Sequence, residues 1–150
     1  MNETGVSIMT GKRPKEIVSY NMSRIRSEGT RLEANLEGIL DSIGADFVKH
    51  PKIFGKPDFV YPELKIAVFA DSDFWHGYNW QEMKNEIKTN TEFWIKKIER
   101  NIERDREVTR ELKKQGWRVV RLWGHQIDRQ PNKCKAIIEG ALNLARKHKL

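Results

Sequence analysis

Two apolar runs, residues 64–70 (LKIAVFA) and 117–123 (WRVVRLW), flank one long helical stripe, and that order constrains the fold most. Both runs have the length and composition of strands. Between them Phe93, Trp94, Ile95, Ile98, Ile102, Val108 and Leu112 recur at helical spacing over residues 91–115, and Gly116 ends the helix. A strand, a crossover helix and a second strand give a sheet with helices on its faces. Two shorter strands are expected earlier, at 46–50 and 57–61 (PDFVY), joined by a hairpin loop containing Gly55. The run 64–70 is the most apolar of the strands and is placed centrally. Thr30-Arg31-Leu32-Glu33 matches a capping box, so a first helix is predicted over 31–43, before Gly44. Pro131 and Asn132 open a last helix to about residue 148. The prediction is therefore an α/β fold with a mixed four-stranded sheet, in the order αβββαβ plus a C-terminal helix. Residues 1–20 read as a flexible arm, with Lys12, Arg13 and Lys15 as a basic cluster, and residues 21–150 as one domain.

Charge narrows the partner. The chain carries 28 Lys and Arg against 21 acids, a net +7. Such a balance favours a polyanion, either nucleic acid or an anionic membrane surface. No apolar stretch is long enough to span a bilayer, and residues 1–20 lack the apolar core of a secretory signal, which weakens the membrane option. The single cysteine, Cys134, excludes an internal disulfide and a Cys-rich zinc site, and fits a reducing, cytoplasmic setting.

Several residues sit where the local pattern does not call for them. Asp58 opens a strand, although Asp is depleted from strands. It reads as a hard-cation ligand or as a turn residue after Gly55-Lys56-Pro57. Asp105 continues the stripe Ile95, Ile98, Ile102, where an apolar residue is expected. A carboxylate facing inward needs a His or Arg partner, for catalysis or as a structural ion pair. His76 lies in the unpatterned segment 71–90, where it is either surface or a general base steadied by Asp105. Glu33 either caps Thr30 or faces the site, and Asp71 and Asp73 follow the central strand within reach of a metal near Asp58. Phe74, Trp75 and Trp94, beside Lys96, Lys97, Arg100, Arg104 and Arg106, suit base stacking or closure over the core edge.

Together these residues resemble the very short patch repair (Vsr) endonuclease family, a branch of the PD-(D/E)XK nuclease fold. The resemblance runs from Asn21-Met22-Ser23-Arg24-Ile25-Arg26, with Thr30 and Glu33, through Gly55-Lys56-Pro57-Asp58-Phe59-Val60 and Phe74-Trp75-His76-Gly77. It continues at Thr91-Glu92-Phe93-Trp94 and Glu103-Arg104-Asp105-Arg106, and ends at Gly116-Trp117-Arg118-Val119. It implies Asp58 as a Mg²⁺ ligand, His76 as the group that activates water, Asp105 as its orienting partner and Glu33 as support through water. It also implies that Phe74, Trp75 and Trp94 enter duplex DNA beside a T·G mismatch; the basic residues Arg24, Lys97 and Arg104 are expected on the backbone.

The sequence departs from the family in two places. The loop Gly77-Tyr78-Asn79-Trp80 and the lone Cys134 do not supply the family's Cys- and His-based zinc, so packing by Tyr78 or Trp80 is expected in its place. Asp71 stands where mismatch enzymes carry a histidine, and a carboxylate there suits either a second metal contact, giving one or two Mg²⁺ ions, or a shift in substrate choice. The expected function is mismatch-directed nicking of double-stranded DNA in repair. The alternatives are a site-specific homing or restriction-like endonuclease, acting as a homodimer or by successive nicks, and a non-catalytic DNA-binding module.

Overall fold

A computed structural model describes residues 14–149, with side chains from residue 29 onward. Lys12 and Arg13, and the side chains of Lys15 and Arg24, lie outside the described residues. Helix α1 spans Pro14–Ile43, so it begins well before the expected start at residue 31. Thr30 and Glu33 are therefore mid-helix, and the capping-box reading is corrected. A cap needs a non-helical residue at Thr30, and nothing from Pro14 onward breaks the helix; proline is tolerated in its first turn. Leu32, Leu36, Ile39 and Leu40 form the buried stripe of α1, and Gly44 leaves it in the left-handed region at φ +89°.

The sheet follows as β1 (Val48–Lys49), β2 (Phe59–Tyr61), β3 (Ile66–Asp71) and β4 (Arg118–Trp123), in spatial order β1-β2-β3-β4. Pairs β1–β2 and β2–β3 are antiparallel, and β3–β4 is parallel, with Phe69 opposite Arg121 and Asp71 opposite Trp123. This is the mixed sheet that the strand–helix–strand pattern requires. Segment 71–90 holds a short helix α2 (Trp80–Met83) and a 3₁₀ turn, Lys84–Glu86. Helix α3 (Thr91–Lys114) makes the crossover. Helix α4 (Gly124–Arg129), too short to show a period in the sequence, precedes α5 (Pro131–Lys149).

Alternation along the strands assigns the two faces of the sheet. Phe59, Tyr61, Ile66 and Val68 pack with α1, α4 and α5 through Leu36, Leu40, Ile127, Ile138 and Leu142. Val60, Ala67 and Phe69 pack on the opposite face against Leu112 and Val108 of α3. Covering both faces explains why residues 64–70 read as a nearly continuous apolar run. Each fully buried Leu or Ile stabilises this arrangement by about 1.5–3 kcal/mol. Among the described residues no helix is long and apolar enough to cross a membrane.

The topology also fixes where chemistry can happen. Because β2 and β3 are antiparallel, Asp58, just before β2, lies at the same sheet end as Asp71, the last residue of β3. Helix α3 returns across that end and brings Asp105 to it.

Candidate active site

Asp58 is held by the sheet itself. Its Oδ2 accepts the Ala70 backbone N–H at 2.7 Å, a bond that continues the β2–β3 ladder with a side chain. Burial pushes its carboxyl up to about 6; the Ala70 bond opposes this, and the neighbouring Glu33 and Asp71 add to it. Glu33 reaches the same place from α1, anchored by His50 Nε2 at 2.5 Å. An open cavity of about 500 Å³ is lined by Glu33, Asp58, His76, Lys97, Asn101 and Arg104, among others. The last three recur at i, i+4 and i+7 on α3, so one helix face forms a polar, largely cationic wall.

His76 comes to that cavity on the loop after β3. Its Nδ1 lies 2.6 Å from Asp105 Oδ2. An ionised carboxylate can only accept, so Nδ1 carries the proton and Nε2 of the neutral ring holds the lone pair. Nε2 has no partner among the described residues. Burial lowers the imidazole pKa, but the Asp105 hydrogen bond and the charges of Asp71 and Asp105 outweigh it, and the net shift is upward. Asp105 thus interrupts the apolar stripe of α3 because it faces His76.

The loop's approach to α3 depends on Gly77. It has φ +72°, and a Cβ there would lie 2.4 Å from Ile102 Cδ1. Gly77→Ala should therefore lift the loop from α3 and misplace His76. A shift near 1 Å at a reacting group can cost about 10²-fold. We expect cleavage to fall by about that factor while far-UV circular dichroism is unchanged; full activity would show that the loop adapts.

Asp71 was expected as a metal ligand beside Asp58. It is 4% exposed, and Arg121 NH1 donates to both of its oxygens at 3.1 Å. One ligand atom each from Asp71, His76 and Asp105 lies within 4.8 Å of the others, a spacing that a metal could use. Both Asp71 oxygens also accept from Arg121, and His76 Nδ1 is bonded to Asp105. Asp58 with Glu33 is a second pair of donors whose chemistry suits Mg²⁺. It is all oxygen, as a hard cation prefers, and the crowding that raises Asp58 would be relieved by a positive ion.

Trp94, expected among the stacking aromatics, is 1% exposed. It packs beneath Phe74 and Trp75, with ring centroids at 5.3 and 5.8 Å, so it supports them rather than presenting a face of its own. Phe74 and Trp75 are half-buried, and Lys97 Nζ sits 5.7 Å from the Trp75 ring centroid. Asp73 pairs with His125 Nδ1 at 3.1 Å. Tyr78 packs on His125 and Trp123 at 4.5 and 5.1 Å, which ties the loop to the end of β4.

Two site residues lay outside the sequence reading. Asn101 Nδ2 donates to the Trp75 carbonyl at 3.0 Å, and Arg121 joins β4 to α3. Arg121 was signalled by a charge within the strand run WRVVRLW, whereas Asn101 lies on a largely charged helix and carried no signal.

A mixed sheet covered by helices, with a strand-opening Pro57-Asp58 facing a histidine across a basic cleft, defines a nuclease of the PD-(D/E)XK class. A family model described as DNA mismatch endonuclease Vsr matches residues 11–82. The type II nicking enzyme V.NmeDIP of Neisseria meningitidis serogroup C is 44% identical over 122 residues, covering 81% of this chain and 82% of the relative. The type II nicking enzyme V.HpaIIP of Haemophilus parainfluenzae is 39% identical over 118 residues, covering 78% and 84%. The DNA mismatch endonuclease Vsr of Escherichia coli (strain K12) is 38% identical over 106 residues, covering 70% and 67%. The chain belongs to the Vsr family of DNA endonucleases.

Proposed function

We propose that this protein is a Mg²⁺-dependent endonuclease that nicks one strand of double-stranded DNA beside a T·G mismatch. The observation that carries the reading is a cavity shared by Asp58 and His76, with Asp105 2.6 Å behind the imidazole. Support for a nick comes from the relatives' names, which are nicking enzymes and a mismatch endonuclease.

Asp58 and Glu33 would hold the ion. When bound, Mg²⁺ supplies charge neutralisation for the phosphate and for the leaving oxygen. Lys97 and Arg104 position the DNA backbone along the α3 wall of the cavity. His76 Nε2 takes a proton from the attacking water as the new P–O bond forms and the old one breaks. Asp105 keeps Nδ1–H in place and stabilises the imidazolium that results. Such general-base assistance is typically worth about 10²–10⁴-fold. Phe74 and Trp75, propped on Trp94, are the aromatic faces offered to the base stack.

The mismatch element is tested with end-labelled duplexes that differ only at one base pair. We expect cutting of the T·G strand at least about 10²-fold faster than of the matched duplex, a margin that mismatch opening and contact differences can supply. Equal cutting would refute mismatch direction and point to a site-specific enzyme.

A further inference from the structure

His76 Nδ1 faces two carboxylates. Asp105 Oδ2 lies at 2.6 Å and Asp71 Oδ1 at 3.7 Å. One N–H cannot serve both, and the ring needs a single orienting acceptor. Arg121, on β4, settles the competition. Its NH1 donates to both oxygens of Asp71 at 3.1 Å, and its NH2 to the Asp105 carbonyl at 3.3 Å. Its Nε donates to Thr109 Oγ1 at 2.8 Å, one turn further along α3. The guanidinium lies 3.9 Å from the Phe69 ring centroid, which fixes its position. The fork therefore grips α3 at two successive turns and the end of β3 at once.

We infer that Arg121 is a positioning residue for cleavage. By engaging both oxygens of Asp71 it leaves Asp105 as the favoured acceptor for His76 Nδ1–H, which keeps Nε2 available to the Asp58 cavity. The inference rests on the reading of His76 as the base. The two residues matter as a pair. Asp71 without Arg121 would draw Nδ1–H away from Asp105. Arg121 without Asp71 would move onto Asp105, whose Oδ1 is already 3.8 Å from NH1. With both removed, the His76–Asp105 bond has no competitor.

The test is single-turnover kinetics on a duplex that the full-length protein cuts. The variants are Arg121→Met, Asp71→Ser and the double variant, with Arg121→Met repeated in a His76→Ala background. Each single change should lower the maximal rate by about 10–100-fold and leave the half-saturating concentration within about 3-fold. The double variant should recover to within about 10-fold of wild type, because the changes are coupled rather than independent. In the His76→Ala background, Arg121→Met should have no further effect. If Arg121→Met does not fold, Arg121→Lys takes its place; it keeps the charge, loses the fork, and should cost about 5–20-fold in rate. Multiplying losses in the double variant, a loss carried by half-saturation, or an undiminished effect of the Arg121 change without His76 would each overturn the inference alone. Full cleavage by His76→Ala would overturn the reading beneath it as well.

Discussion

Asp58→Asn is expected to abolish cleavage, by at least about 10³-fold, while making the metal-free protein more resistant to heat. The two effects share one cause. Burial holds the Asp58 carboxyl at about 6, against 3.8 for the free group. The folded state therefore binds the extra proton between those values, and its stability falls as pH rises through that window. Above about pH 6 the buried charge costs on the order of 1–3 kcal/mol. Asn keeps the shape and can still accept the Ala70 N–H without that charge. We expect Tm to rise by about 3–10 °C at pH 8, with the gain shrinking toward pH 4. Added Mg²⁺ should raise the Tm of the wild type and not that of the variant. Scanning calorimetry at the two pH values, with and without Mg²⁺, checks all of this. A destabilised Asp58→Asn would mean that the carboxylate is structural.

His76→Ala should lower the maximal rate by about 10²–10⁴-fold with little change in DNA affinity. The group acts as a base only when neutral, and its pKa is raised above the usual 6.5. Wild-type cleavage should therefore climb with pH through and above that value and then level off. The variant should lose this rise. Single-turnover rates from pH 5.5 to 9, alongside binding measured by gel shift, give the answer. A variant that retains the same pH limb would remove His76 from the proton transfer.

The layered fold was legible because both sheet faces are covered, and the residues that cover them repeat with the periods of strands and helices. Asp105 was legible for the same reason, since a charge breaking the Ile95–Ile98–Ile102 series requires a partner. The start of α1 was not. Val18, Met22 and Ile25 already keep helical spacing, but Thr30–Glu33 imitates a cap at a place where the helix simply continues. Trp94 occupies a stripe position, and its burial follows from that more directly than from any likeness to stacking aromatics. Arg121 escaped notice because its partner Asp71 is fifty positions away. Only the parallel pairing of β3 with β4 brings the two together. Glu33 lost its local explanation once Thr30 proved to be mid-helix, and so became available to the site.

A Mg²⁺ titration of single-turnover nicking, run with wild-type protein and with Asp58→Asn at DNA concentrations that both bind, tests the shared Asp58–His76 cavity most directly. The rate for wild type should rise from background in EDTA to a saturating value, and the variant should stay at background throughout. Wild-type cleavage at full rate in EDTA, or a variant that cuts like wild type, would contradict the assignment of hydrolysis to this cavity.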